Sequence, residues 1–107
     1  GVDNAQIEAY RNTYQNKVLN VIVEGTRKIF KYGNKYVALH FAAFAFAQTI
    51  TREDVSYNYM RILKELGNHT IAIDAYWECR DAIVEKYGID ASRRLDGLYA
   101  EIIKEAS

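Results

Sequence analysis

The chain of 107 residues has no proline and six glycines, so nothing in it forces a helix to break or favours an extended polyproline linker. A single cysteine, Cys79, excludes an internal disulfide. There are two histidines, His40 and His69, and neither has a second His or Cys at metal-ligand spacing. A carboxylate-bridged di-metal bundle would need Glu-x-x-His on two helices, and the sequence offers none. Glycine-rich phosphate loops, Gly-x-Ser-x-Gly elbows and Walker patterns are also missing. The expectation is no metal, no cofactor and no catalytic residue. An excess of either charge is lacking too: 14 Lys/Arg balance 14 Asp/Glu, which argues against a strongly basic nucleic-acid binder.

What is present is ordinary for a folded domain, with 50% apolar and 26% charged residues. A chain of this length buries about two thirds of its unfolded surface, enough to fold without staples. One domain over 1–107 is expected, without internal repeat or linker. Residue 1 is Gly, so the chain is expected to be processed or to lack an upstream segment, and no secretory signal opens it. A soluble chain, intracellular or particle-associated rather than secreted, is the expectation. Charge is divided unevenly. Residues 1–50 carry six Lys/Arg against three acids, and residues 51–107 carry eight against eleven.

Periodicity predicts five helices. In the first, Asp3 and Gln6 suit a capping box. Ile7, Tyr10, Tyr14, Val18, Val21, Gly25, Ile29 and Tyr32 form a long apolar stripe, with Leu19, Val23 and Phe30 as a second line. Gly33 is placed as its stop and Asn34 as the next cap. The second helix holds the uncharged run "HFAAFAFAQTI". Its apolar stretch, Tyr36–Ile50, is 15 residues long, about 22 Å on a helix. A membrane core of roughly 30 Å needs about 20 residues, so no membrane span is expected. A helix apolar all round should lie at the centre of the molecule, covered by neighbours from this chain or another.

The third helix should be capped by Thr51, with Asp54 completing the box, and buried along Val55, Tyr59, Ile62, Leu63 and Leu66. Gly67 ends it. The fourth, about 70–87, carries Ile73, Tyr76, Arg80, Ile83, Val84 and Tyr87 on one face, and Gly88 ends it. Asp90 should cap the fifth, whose Leu95, Leu98, Tyr99, Ile102, Ile103 and Ala106 share a narrow face. Short connections favour antiparallel neighbours. The predicted fold is therefore all-α, a compact antiparallel bundle of four to five helices with a central apolar helix.

On the fourth helix Asp74, Glu78, Asp81 and Glu85 recur at i, i+4, i+7 and i+11. Like charges at this spacing repel, so a basic surface is expected nearby, supplied by Arg27, Lys28, Lys31 and Lys35. The same four cations are candidate contacts to nucleic-acid phosphates or an acidic partner. Nine Tyr and four Phe suggest more aromatic surface than one small domain covers. Tyr10, Tyr14, Phe41, Phe44 and Phe46 are the candidate self-association residues. Cys79, on the small-residue side of its helix, is expected to be packed, and His40 is expected in the core.

The stretch "TITREDVSYNYMRILKELGN" resembles in texture the reading helix of helix-turn-helix proteins. That resemblance implies a DNA-reading face made of Tyr57, Asn58, Arg61 and Lys64. The turn before it lacks the Gly common in such motifs. Three readings follow. The leading one is a non-enzymatic assembly subunit, coat-like or nucleoprotein-like, with a second copy or a related helical subunit as partner and nucleic acid as a further one. The second is a helix-turn-helix-like DNA-binding module using residues 51–66. The third is a small helical enzyme with a pocket near His40.

Overall fold

The computed structural model describes the backbone of residues 4–107, and the side chains of Gln6 and of residues 16–107. Five helices follow in order: α1 (Asn4–Tyr32), α2 (Lys35–Gln48), α3 (Glu53–Glu65), α4 (His69–Tyr87) and α5 (Arg93–Ala106). No strand occurs among the described residues, and the all-α bundle stands as expected. None of the described helices is long and apolar enough to cross a membrane.

Most of the glycine and asparagine punctuation acts as read. Asn34 accepts hydrogen bonds from the Tyr36 and Val37 amides and so starts α2. Gly67 ends α3 with φ +78°; its amide bonds to the Lys64 carbonyl and that of Asn68 to the Leu63 carbonyl. This is the paired closure of a Schellman motif, which requires the left-handed conformation glycine adopts without strain. Two predicted caps are displaced. Arg52, not Thr51, precedes α3, and Asp54 is held by the Arg52 guanidinium at 2.8 Å. Ser92, not Asp90, caps α5 by accepting from the Leu95 amide. The Asp3 cap lies outside the described residues.

The helices pack in two layers. α1, α3 and α5 touch in succession, while α2 bridges α1 and α3, and α4 bridges α3 and α5. Overall dimensions of 57 × 35 × 18 Å agree, since two layers stack at about 8–10 Å between axes. α3 is the hub and touches every other helix. Val55, Ser56, Asn58, Met60, Ile62 and Leu63 are all buried, on several faces of α3. α2 has a different place. It packs on α1 and α3 through Ala38, Ala42, Ala45 and Phe46, and leaves Val37, Phe41 and Phe44 exposed. The small alanines explain this: they let the helix approach two neighbours closely, but they fill little volume, and the large side chains fall on the outer face.

α1 reverses the expected order of its two stripes. The shorter line, Leu19 and Val23 with Thr26, is the buried one. On the longer line Val18, Val21 and Tyr32 are exposed, Val21 by 72%. The acidic line of α4 also departs from expectation. Asp74, Glu78, Asp81 and Glu85 are exposed, and among the described residues α4 makes no packing contact with α1, so the cations at the end of α1 do not cover this line. The ion pair found on that line among the described residues is Arg80 with Asp81 at 3.5 Å.

Polar clamps join the later helices. The Tyr76 hydroxyl donates to Asp96 at 2.6 Å, tying α4 to α5; burial first, then this bond, pushes the phenol up to about 12. Glu105 near the end of α5 meets His69 Nε2 and Lys64 Nζ, each at 3.1 Å. His69, then Lys64, hold the Glu105 carboxyl below its ordinary range. Burial pushes the thiol of Cys79, fully buried in the core, up.

Two outcomes follow. The Cβ of an alanine at Gly67 would meet nothing within 4 Å, so Gly67→Ala costs only the left-handed backbone, about 1 kcal/mol in urea unfolding; an unchanged midpoint would contradict the cap. A carboxylate depressed on folding stabilises above its unfolded pKa, and that gain is lost as pH falls through the folded value. Glu105→Gln therefore lowers the melting temperature at neutral pH, and the deficit shrinks in acid below the carboxylate range. A deficit independent of pH would show that the clamp contributes no charge interaction.

Candidate functional site

Because α3 is sandwiched between α1 and α5, its Tyr57–Asn58–Arg61 edge opens onto the groove between those two helices. There a cleft of about 460 Å³ is lined by Arg27, Phe30 and Lys31 of α1, Tyr57, Asn58 and Arg61 of α3, and Arg94 of α5. Two groups that the sequence places in separate hypotheses meet in this one cavity. Four of the seven lining side chains are cations, and none is a carboxylate.

Aromatic rings seat the cations. The Arg61 guanidinium lies 4.8 Å from the centre of the Phe30 ring, and Arg94 lies 4.0 Å from that of Tyr57. Such contacts contribute about 0.5–1 kcal/mol each at exposed sites, and they fix the direction of a long side chain while leaving its N–H donors free for a ligand. Lys35, at the start of α2, approaches the same ring, 5.4 Å from the centre of Phe30. Asn58 is 2% exposed, and its Oδ1 accepts from Arg61 at 3.4 Å, so the floor of the cleft is polar and ordered. Carboxylates close to the lining residues in sequence already have partners, one of them a cation of the cleft itself. Glu53 accepts from the Ser92 amide at 3.2 Å, and Asp54 from Arg52. Glu24 pairs with Arg27 at 3.3 Å on the exposed side of α1.

The remaining candidate residues are distributed as follows. Lys28 is exposed on the outer side of α1 and borders a different, shallower groove with Val21 and Gly25. Lys64 is committed to Glu105 and lies at the far end of α3 from Tyr57. Phe41 and Phe44 are exposed, whereas Phe46 is buried against Tyr59, ring centres 4.9 Å apart, and belongs to the core. The side chains of Tyr10 and Tyr14 lie outside the described residues. His40 is exposed on α2 beside Phe41, against the expectation of a core histidine, and borders none of the cavities described here. No cluster of metal-ligating side chains occurs among the described residues. Arg94 is the cleft residue that sequence reading passes over. It lies in the first turn of α5, in a polar stretch that carries no periodic signal, and only the packing of α5 on α3 brings it to Tyr57.

The cleft concentrates four cations from three helices in one concavity. Four like charges within one concavity repel, and a bound anion relieves that repulsion while stabilising the folded state by mass action. Millimolar inorganic phosphate should therefore raise the melting temperature above that in chloride of equal ionic strength. The increment should vanish in an Arg61→Ala/Arg94→Ala variant; an increment that persists would place the anion elsewhere.

Residues 1–103 match the family model of the bacterial transcriptional activator domain. No curated protein and no solved structure gives a significant match to the chain.

Proposed function

Since the chain belongs to the bacterial transcriptional activator domain family, we propose that it serves transcription activation as a non-catalytic binding module, and that its working surface is the basic cleft between α1, α3 and α5. The family is one of transcription regulators, not of enzymes. The observation that carries the proposal is the convergence of Arg27, Lys31, Arg61 and Arg94 from three helices on one cavity with no lining carboxylate. In a chain of zero net charge such a concentration is a feature of placement and not of composition.

The ligand proposed for this cleft is the phosphate backbone of nucleic acid. Arginine suits it because the planar guanidinium can donate two parallel hydrogen bonds to phosphate oxygens. The helix-turn-helix version of this reading is narrower, with bases read by Tyr57, Asn58, Arg61 and Lys64. Asn58 is buried, Tyr57 is covered by Arg94, and Lys64 is held by Glu105, which favours contact to phosphates over contact to base edges. Lys35, over the Phe30 ring, flanks the cleft as an outer contact, whereas Lys28 faces the separate groove beside Val21 and Gly25.

Fluorescence anisotropy with a short DNA duplex, over a series of salt concentrations, tests the proposal. Binding should weaken linearly with log salt, with a slope of about −0.9 per phosphate contacted. Arg61→Ala and Arg94→Ala should each flatten that slope by about 1 unit across unrelated sequences. Duplex binding that neither substitution alters sinks the proposal. If polyglutamate binds through Arg61 and Arg94 while duplex DNA does not, the cleft serves an acidic protein segment instead.

A further inference from the structure

We infer that Glu53 is a positioning residue for the basic cleft: by holding the Ser92 amide it keeps Arg94 over Tyr57. Its effect on ligand binding rests on the reading of the cleft given above; its effect on Arg94 does not. Arg94 enters the cleft from the first turn of α5. Its guanidinium lies 4.0 Å from the centre of the Tyr57 ring, and it makes no ion pair among the described residues. Its place therefore depends on what holds that turn.

The start of α5 is held from two sides. On one, Asp96 accepts from the Tyr76 hydroxyl of α4 at 2.6 Å. On the other, Glu53, the first residue of α3, accepts from the Ser92 amide through both carboxylate oxygens, at 3.2 Å each. Ser92 is also the cap of α5, its hydroxyl accepting from the Leu95 amide at 3.2 Å. Arg94 and Asp96 are two residues apart, about 200° around a helix, so they point to nearly opposite sides. The Tyr76 bond thus fixes α5 against α4 and leaves the side that carries Arg94 to Glu53.

Packing alone does not fix that side. Leu95 and Leu98 are buried and bring α5 alongside α3. Under Arg94, however, the joint holds a cavity of about 240 Å³, lined by Glu53, Asp54, Tyr57, Ser92, Arg94 and Leu95. Side chains do not fill it, so the tilt of the first turn is set by the bond from Ser92 to Glu53. Asp54, the other carboxylate of this lining, is held by Arg52.

The sign of the effect separates positioning from simple charge. A carboxylate beside a cationic cleft lowers the local potential, so its removal tightens anion binding if charge alone matters. If Glu53 positions Arg94, its removal weakens binding although the chain becomes more positive.

The test compares Glu53→Ala, Glu53→Gln and Arg94→Ala in the full chain. NMR of the Arg94 side chain without ligand and salt-dependent anisotropy with duplex DNA are the two readouts. Stacking on Tyr57 shifts the Arg94 signals upfield in the parent chain. Glu53→Ala should abolish that shift and flatten the salt slope by about 1 unit, as far as Arg94→Ala does. Added to Arg94→Ala, it should change the slope no further. Glu53→Gln keeps an oxygen that accepts from Ser92 and should restore both readouts. An Arg94 shift that survives Glu53→Ala, or tighter duplex binding by that variant, would overturn the inference. Absence of duplex binding by the parent chain would instead count against the reading of the cleft, and the Arg94 signals then decide the positioning alone.

Discussion

The burial of α3 on nearly every side is the constraint from which the remaining features follow. One helix of 13 residues touches the four others, so its side chains must serve four different neighbours. Apolar residues meet α2 and α4, and the polar edge of Tyr57, Asn58 and Arg61 is directed into the joint between α1 and α5. A helix of this kind cannot shift without opening several interfaces. The cleft therefore has a rigid floor, and its cations are held by packing instead of waiting on a mobile loop.

The same packing accounts for how a neutral chain acquires a positive surface. Arginines on helices distant in sequence, Arg27, Arg61 and Arg94, are brought to one cavity, while the acids of α4 stay in the opposite layer. Aromatic rings under Arg61 and Arg94 offset part of the repulsion among the cations. The positive cleft is thus local, whereas the sequence divides its charge between the two halves of the chain.

Much of the fold is legible in the residues. Five helices follow from the 3.6-residue periods, and Gly33, Asn34, Gly67 and Gly88 mark boundaries that local backbone chemistry decides. Relative burial is less legible. Hydropathy favours α2 as the most enclosed helix, yet α3 holds two of the three buried polar residues among the described ones, Ser56 and Asn58, and Phe44 of α2 is half exposed. Alanine reads as apolar but mainly permits close approach, so an Ala-rich helix can be thin on one side and open on the other. In α1 two apolar stripes compete, and nothing in the sequence states which neighbour arrives. The cleft itself was half visible. Arg27 and Lys31 stand out as a basic cluster, and Tyr57, Asn58 and Arg61 as a polar helix face. Their convergence depends on long-range packing, as does the arrival of Arg94.

The central claim is that the α1–α3–α5 cleft is where the chain meets an anionic polymer. Titrating the isotope-labelled chain with a short DNA duplex and following its amide and arginine side-chain NMR signals tests this most directly. The account predicts saturable shifts concentrated at Arg27, Lys31, Arg61 and Arg94, with α4 signals unmoved. Shifts centred on α4 or on the outer face of α2, or none at low salt, would contradict it.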